Sequence, residues 1–287
     1  MQRFQIKEEV LLYTFLSKTF PLMSRTKLKN LLSSHRVLVN GRPVSQYNYN
    51  LLPDMQVEIS SHKKETNFHS QYLRIIYEDR WLIIIEKNTG ILSMGSPHHS
   101  FSVKTILDEY FSQKHLSVRS HVVHRLDRET SGIMVYAKTT EVQEIFKSDW
   151  HDRVIDRRYY AIIEGKLSPD SGTITSWLKD NKSFFTYSSP TDNGGKYAVT
   201  HYRTISSNSH YSLIELRLET GRKNQIRVHL QDLGHPIVGD YKYGSPINPI
   251  GRLCLHAFRL NFIHPVTKEQ LSFETPYPLS FAKLISI

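Results

Sequence analysis

The chain has 287 residues, a length that favours about two domains. Its 37 Lys and Arg residues exceed its 27 Asp and Glu residues, which gives a formal net charge of +10. Such a basic chain is typical of proteins that bind a polyanion, either a nucleic acid or an anionic membrane surface. Aromatic residues make up 11% of the chain, which excludes extensive intrinsic disorder.

Short apolar runs argue against a membrane-spanning segment. The run Trp81–Ile85 ends after a few residues, whereas a transmembrane helix needs about 20. The first residues are not typical of a secretory signal, because Lys18 interrupts the apolar stretch and no small-residue cleavage site follows. Cys254 is the single cysteine, so no internal disulfide and no multi-cysteine metal site can form. We therefore expect a cytoplasmic protein.

Residues 10–60 are expected to form a small first domain. Its predicted elements are two helices followed by two strands, at residues 11–16, 24–32, 37–39 and 57–59. The second helix would bury Leu28, Leu31 and Leu32 and turn basic residues outward. Residues 60–71 are polar and lack periodicity, which predicts a linker.

Residues 72–287 are expected to form a larger domain, of the size of a catalytic domain. The predicted strands lie at residues 73–77, 81–86, 133–137, 159–164, 197–205, 212–218 and 253–262. The predicted helices lie at residues 103–111, 141–150 and 223–233. Strands outnumber helices, and several alternate apolar with polar residues. The pattern therefore predicts a largely antiparallel α+β domain rather than a doubly wound one.

The densest group of chemically active side chains is HVVHRLDRETSG, residues 121–132. It precedes a predicted strand, a position in which a rigid scaffold presents reactive groups. On its own, a charged loop of this kind is more often a solvated salt-bridge loop. His121 and His124 have the spacing of two metal ligands on a helix face, but the flanking sequence is not helical and no third ligand follows. A metal site is therefore not expected.

Two further segments combine basic with apolar or aromatic residues. In GRKNQIRVHL, residues 221–230, Arg222 and Lys223 at the start of a predicted helix suit phosphate, and Arg227 adjoins the apolar face. In RRYYA, residues 157–161, arginine suits phosphate and tyrosine suits stacking on a base. Taken singly, the first segment fits an ordinary amphipathic helix with a basic end as well as it fits a phosphate-binding site. The second fits an ordinary strand with alternating tyrosines better.

Together, the three segments resemble the motifs of the RluA-type pseudouridine synthases. HRLDRETSG at residues 124–132 is similar to the family signature HRLDxxTSG, and RRYYAIIEG at residues 157–165 is similar to the family's basic-x-Tyr-x-Ala-x3-Gly segment. GRKNQIRVHLQDLGHPIVGDYKYG at residues 221–244 is similar to the third motif. The motifs follow one another in the family's order. The resemblance covers residues 72–277 and implies a pseudouridine synthase fold, an α+β fold whose mixed, largely antiparallel central sheet is flanked by helices.

The first domain resembles an S4 RNA-binding domain, a small α/β unit that precedes many synthases of this family. This resemblance rests on Ser24-Arg25, the basic helix and the segment VLVNG at residues 37–41. The chain departs from the family patterns where Asn224 replaces a usual His, where KNTG at residues 87–90 replaces Lys-Pro-x-Gly, and where His35 replaces a common Gly. Asn224 is not expected to do the chemistry. The missing proline is expected to loosen its loop.

The resemblance implies isomerisation of uridine to pseudouridine in RNA, a reaction that needs no cofactor and no metal. Asp127 matches the catalytic aspartate, which could attack C1′, attack the base or abstract a proton from the sugar. Arg227 matches the arginine that pairs with this aspartate and favours its ionised form. Tyr159 matches the tyrosine that stacks on the target base. Arg125 matches a residue that fills the space left when the uridine flips out.

RNA is the expected partner, with large-subunit ribosomal RNA as the first candidate and tRNA as the second, and we expect a monomer. Besides Arg125, the residues expected to contact RNA are Arg222, Lys223, Arg25, Lys27, Lys29 and Arg36. One alternative is a degenerate synthase that binds RNA without reacting, against which the intact Asp127, Tyr159 and Arg227 argue. The other is a different RNA enzyme, such as a metal-dependent nuclease. Insensitivity to chelators together with preserved RNA length would exclude it.

Overall fold

A computed structural model describes residues 2–21, 23–33, 37–44, 46–59, 68–97 and 99–285. Contacts within the chain define two compact units. The first comprises Met1–His69 and Tyr110–Ser117, and the second comprises Ser70–Glu109 and Val118–Ile287. Arg36, one of the expected RNA contacts, lies outside the described residues, as do His35 and residues 60–67 of the predicted linker.

The first unit combines small antiparallel sheets with two short helices. Its strands are β1 (Gln2–Gln5), β2 (Val10–Leu11), β3 (Val37–Val39), β4 (Arg42–Pro43), β5 (Asn50–Leu51) and β6 (Gln56–Ile59). The helices are α1 (Leu12–Thr19) and α2 (Arg25–Ser33). β1, β6, β3 and β4 form one sheet in that order, and β2 pairs with β5.

Helix α2 is amphipathic, as its leucine spacing predicts. Leu28, Leu31 and Leu32 are at most 5% exposed and pack into the core of the first unit. Burying a leucine side chain contributes about 1.5–3 kcal/mol, so these residues fix which face of the helix meets the core. Lys27 and Lys29 remain exposed on the helix, as does Arg25 at its start.

The second unit is built on one eleven-stranded sheet. Its strands are β7 (Leu73–Glu78), β8 (Leu82–Lys87), β9 (His121–Val122), β10 (Ser131–Ala137), β11 (Val154–Glu164), β12 (Ser171–Asp180), β13 (Thr186–Ser189), β14 (Lys196–Ser207), β15 (Tyr211–Leu218), β16 (Leu255–Ile263) and β17 (Gln270–Glu274). The order is β13-β12-β14-β15-β11-β16-β10-β8-β7, with β17 on β16 and β9 on β10. Among the described strands only β10 and β16 pair in parallel. The predicted α+β fold with a mixed, largely antiparallel sheet is confirmed.

Short helices complete the chain. They are α3 (Val103–Gln113), α4 (Thr140–Ser148), α5 (Trp150–Arg153), α6 (Gln225–Asp232) and α7 (Leu279–Ile285), with a 3-10 turn at Tyr241–Tyr243. Within the described ranges, no helix has the length and apolar character needed to cross a membrane.

Two predicted helices differ from the observed ones for local reasons. The helix predicted at residues 141–150 is divided into α4 and α5, and the Thr139 side chain caps α4 by accepting a hydrogen bond from the Val142 N–H. The helix predicted to start at Lys223 begins at Gln225. Asn224 has a φ of 54°, a left-handed conformation that cannot continue a right-handed helix.

The parallel pairing of β10 with β16 fixes the end of the segment that precedes β10. Ser131 and Gly132 lie opposite His256 and Ala257. Gly132 has a φ of 128°, and a Cβ atom at this position would overlap the carbonyl oxygen of Ala257. Glycine alone accommodates both the conformation and the close approach. The segment that contains Asp127 therefore enters the sheet at a defined position.

Candidate active site

A cavity of about 710 Å³ lies in the second unit where three segments meet. These are the loop before β10, the first half of β11 and the loop that leads into α6. Among the described lining residues, Asp127 supplies the one carboxylate. The cationic lining residues are Arg125, Arg157, Arg222, Lys223 and Arg227. This surplus of positive charge suits a polyanion that presents its reacting part to a single carboxylate.

The backbone around Asp127 is held from both sides. The Ser93 hydroxyl donates to the Leu126 carbonyl at 2.7 Å and accepts from the Leu126 N–H at 3.2 Å. The Lys87 ammonium donates to the Arg128 carbonyl at 3.0 Å. The Asp127 side chain itself is 39% exposed. The loop is therefore fixed while the carboxylate stays accessible.

Lys87 is fully buried and anchors the KNTG loop. Its ammonium also donates to the carbonyls of Asn88 and Ile91, each at 2.9 Å. Burial lowers the pKa of Lys87 to about 7. The Thr89 hydroxyl donates to the Glu129 carbonyl at 2.8 Å, which ties the loop to the Asp127 segment. These contacts tie the KNTG loop, which lacks the family's proline, to the segment that contains Asp127.

Arg227 is held by a second carboxylate, Asp240, which the sequence motifs did not single out. Asp240 is 2% exposed and accepts hydrogen bonds from Nε and Nη2 of Arg227, both at 2.7 Å. Nη1 lies 3.3 Å from Oδ2 of Asp127. Burial acts to lower the pKa of Arg227, but the hydrogen bonds and charge of Asp240, helped by Asp127, outweigh it and raise the pKa. Asp240 thus sets the plane of the guanidinium and leaves Nη1 directed at Asp127.

Asn224 and Tyr243 complete the surroundings of Arg227. Oδ1 of Asn224 accepts from Nη1 of Arg227 at 3.2 Å, and Nδ2 donates to the Tyr243 hydroxyl at 2.9 Å. The guanidinium carbon lies 4.9 Å from the centroid of the Tyr243 ring. The left-handed backbone at Asn224 is one that asparagine tolerates better than most residues. Asn224, at the position of the family's usual His, therefore orients Arg227.

Gln225 fixes the start of α6 beneath the cavity. It is 2% exposed, and its side-chain oxygen accepts from the Arg222 N–H at 2.9 Å. Its amide nitrogen donates to the Val199 carbonyl in β14 at 2.9 Å. Because the helix start is bonded to the sheet in this way, Arg227 projects from a rigid base.

Tyr159 lies in β11 and forms part of the cavity wall. Burial raises the pKa of its hydroxyl, and Arg157 acts against this shift while Asp127 adds to it. The phenol is therefore protonated at neutral pH and can donate a hydrogen bond. The guanidinium carbon of Arg157 lies 5.6 Å from the Trp150 ring centroid, which holds this cation at the cavity. Arg157 was not among the predicted site residues, although the RRYYA segment that contains it was singled out in the sequence.

Six of the predicted site residues meet in this cavity: Asp127, Tyr159, Arg227, Arg125, Arg222 and Lys223. The ammonium of Lys223 is bonded to Asp180 at 2.8 Å, which offsets part of its charge. Arg125 is exposed, in a position to meet an incoming chain. The other described candidates lie in the first unit: Arg25, Lys27 and Lys29.

His124 supports the loop through its ring. Its Nε2 accepts from the Val135 N–H at 3.0 Å, and its ring lies 5.1 Å from that of Trp150. Burial lowers the pKa of His124 to about 3, so the ring is neutral. In the described part of the chain, no three His, Cys, Asp or Glu residues are grouped to hold a metal ion.

Comparison with known proteins identifies the family. The family model described as RNA pseudouridylate synthase matches residues 81–232, a range that contains Asp127, Tyr159 and Arg227. The uncharacterized RNA pseudouridine synthase YjbO of Bacillus subtilis is 37% identical over 214 residues, which are 74% of this chain and 75% of that protein. Ribosomal large subunit pseudouridine synthase D of Escherichia coli K12 is 32% identical over 290 residues, which are 95% of this chain and 88% of that protein.

A solved structure agrees with these relatives. The structure of the human protein RNA Pseudouridylate Synthase Domain Containing 4 superimposes with a TM-score of 0.61 at 26% identity. The match covers 72% of this chain and 90% of that one. Fold and relatives thus define the class, an isomerase that acts on uridine in RNA.

The chain belongs to the RNA pseudouridylate synthase family, and its relatives place it with the RluA-type synthases. It is an RNA pseudouridine synthase, as the three sequence motifs predict.

Proposed function

We propose that Asp127 is the catalytic carboxylate of this synthase and that the target uridine enters the cavity flipped out of its RNA. The position of Asp127 carries this proposal. It is the one carboxylate among the described lining residues, it is 39% exposed, and it lies 3.3 Å from Arg227, whose side chain is 12% exposed. A reacting group needs this combination of access and fixed orientation.

The reaction exchanges one bond between sugar and base for another. The N1–C1′ bond breaks, the uracil turns, and a C5–C1′ bond forms. C5 then loses its proton and N1 gains one, so atoms and electrons balance. Asp127 can take part by attacking C1′, by attacking the base or by taking a proton from the sugar. Each of these routes uses an ionised carboxylate in a fixed place, and the hydrogen bond from Arg227 supports both its charge and its position.

Tyr159 and Arg125 would hold the flipped nucleotide and its former neighbours. The ring of Tyr159 in the cavity wall is available to stack on uracil, and its protonated hydroxyl can donate to the base. Extruding a base costs a few kcal/mol, mainly in lost stacking and pairing. The exposed, planar guanidinium of Arg125 can stack and donate hydrogen bonds at once in the vacated space, which offsets part of this cost.

The RNA substrate we propose is large-subunit ribosomal RNA, with tRNA as the second candidate. Support comes from the net charge of +10 and from the relative named ribosomal large subunit pseudouridine synthase D. In this proposal the first unit acts as an S4-like RNA-binding domain, through the exposed Arg25, Lys27 and Lys29. The single cysteine fits action on cytoplasmic RNA.

The test is to map pseudouridines in the total RNA of cells that lack the gene. We expect one or a few uridines of large-subunit RNA to lose the modification, and the wild-type gene to restore it. Asp127→Asn should fail to restore it. Glu129→Gln is the matched control, because Glu129 is a carboxylate of the same loop that is 51% exposed and does not line the cavity; it should restore the modification. If pseudouridine is lost only from tRNA, tRNA is the substrate instead of large-subunit RNA. If no RNA loses pseudouridine, the proposed function is contradicted.

A further inference from the structure

A second cavity adjoins the candidate active site. Its volume is about 310 Å³, and it shares Gly221, Arg222 and Lys223 with the first cavity. Its opposite wall is formed by the end of β12 and by residues 194–196. An RNA strand that leaves the first cavity across Arg222 and Lys223 therefore enters the second cavity.

The second cavity is strongly basic. Its cationic lining residues are Lys179, Lys196, Arg222 and Lys223. Asp180 supplies the one carboxylate among the described lining residues, and it is already bonded to Lys223 at 2.8 Å and to the Thr186 hydroxyl at 2.6 Å. Lys179 and Lys196 are both exposed. Three cations therefore face this space with no carboxylate of the described lining paired to them.

The walls of this cavity are held at a fixed distance. The ammonium of Lys179 donates to the Asn193 carbonyl at 2.9 Å, which ties the end of β12 to the loop opposite. A Cβ atom at Gly195 would lie 2.7 Å from the Leu178 carbonyl oxygen, closer than real Cβ contacts allow. The Nε of Arg222 donates to the Tyr197 carbonyl at 3.0 Å. The cations are thus presented by a preformed groove rather than by a free surface.

We propose that this second cavity is a subsite for a backbone phosphate of the RNA, belonging to a nucleotide next to the target uridine. The proposal rests on the proposed function of the first cavity. A flipped uridine stays joined to its neighbours through phosphodiesters, so the strand must run out of the first cavity. The second cavity, with Arg222 on the shared wall and Lys179 and Lys196 on the opposite wall, offers the positive charge that such a phosphate needs.

The experiment measures RNA affinity of the full-length double variant Lys179→Gln/Lys196→Gln. The probe is an unmodified transcript of the large-subunit RNA domain that carries the mapped uridine, titrated at several salt concentrations. The subsite neutralises one phosphate, so if the two lysines hold it, the slope of log K against log salt falls by about 0.7 for a single strand and about 0.9 for a duplex. The matched control is Lys166→Gln/Lys283→Gln, which removes the same charge from exposed positions outside both cavities and should keep the wild-type slope.

The outcomes distinguish failure of the subsite from failure of the proposed function. A double variant that binds with the affinity and slope of the control, while the wild type converts the transcript, overturns the subsite alone. A wild type that leaves the transcript unmodified overturns the proposed substrate and the subsite with it. Lys196→Glu is the second variant, in case removal of the Lys179 hydrogen bond disturbs the fold; it reverses a charge at an exposed position and should weaken binding more than Lys196→Gln.

Discussion

The buried carboxylate behind Arg227 allows a quantitative test of how the site is organised. Asp240→Asn keeps the size of the side chain and one acceptor but removes the charge. The side chains of Arg227 and Asp240 are only 12% and 1% exposed, so solvent cannot replace the missing partner. Removing one member of a buried ion pair costs about 3–5 kcal/mol. Because the amide still accepts one hydrogen bond and Asp127 remains nearby, we expect the lower end, about 3 kcal/mol.

The melting temperature and the rate should both respond. At about 2–4 °C per kcal/mol for a unit of this size, the melting temperature should fall by about 6–12 °C. A guanidinium displaced by about 1 Å should lower the single-turnover rate by about 10²-fold. Differential scanning calorimetry and single-turnover kinetics measure the two effects.

Glu274→Gln is the matched control, since Glu274 binds Arg259 through Nε and Nη2 at 3.0 and 2.8 Å but is 53% exposed. This exposed pair should contribute less than about 1 kcal/mol. Wild-type stability and rate in Asp240→Asn would refute the positioning role of Asp240.

Substitutions at Lys87, at Asn224 and on helix α2 probe other parts of the structure. Lys87→Met should lower activity by freeing the Asp127 loop, and it also gives a pH test. Because the pKa of Lys87 is about 7 in the folded chain and 10.5 for an ordinary lysine, the unfolded chain holds the extra proton between these values. As the pH rises from about 7 to 10.5, the free energy of unfolding of the wild type should therefore increase relative to that of Lys87→Met, by about 1.4 kcal/mol per pH unit. Parallel plots of unfolding free energy against pH for the two proteins would contradict this. Asn224→Gly should slow the reaction, because it removes a contact to Arg227. In denaturant titrations, Asn224→Ala should be less stable than Asn224→Gly by about 1–2 kcal/mol, because glycine adopts the left-handed conformation of this position without strain. Neutralising Arg25, Lys27 and Lys29 to Gln should reduce the salt slope of RNA binding by about 0.7–0.9 for each phosphate that these side chains neutralise, and an unchanged slope would show that this face does not bind RNA.

The pattern of apolar residues predicted most of the strands and helices of the second unit. The runs in β8 and β10 are buried along nearly their whole length, as expected for strands at the centre of a covered sheet. Strand β12 was not predicted, because Ser and Thr occupy several of its positions and apolar and polar residues alternate only weakly along it. The start of α6 was placed two residues early, since helical spacing does not reveal the left-handed conformation of Asn224.

The candidate site was partly visible in the sequence. Nothing in their spacing places Asp127 and Arg227 together, since 100 residues separate them, and only the family resemblance indicated that they pair. The role of Asp240 stayed hidden because it depends on a turn after α6 that returns the chain to Arg227. The acidic residue of the motif segment GDYKYG was the available signal, and its partner could be named only from the structure.

The central claim is that Asp127 performs the chemistry, and a single-turnover assay tests it most directly. Saturating amounts of wild type and Asp127→Asn are incubated with the unmodified transcript, and pseudouridine at the target position is measured over time. The side chain of Asp127 is 39% exposed, so the substitution should leave melting temperature and RNA affinity close to those of the wild type. We expect no pseudouridine from Asp127→Asn under conditions in which the wild type converts the target fully. Substantial conversion by the variant would contradict the assignment.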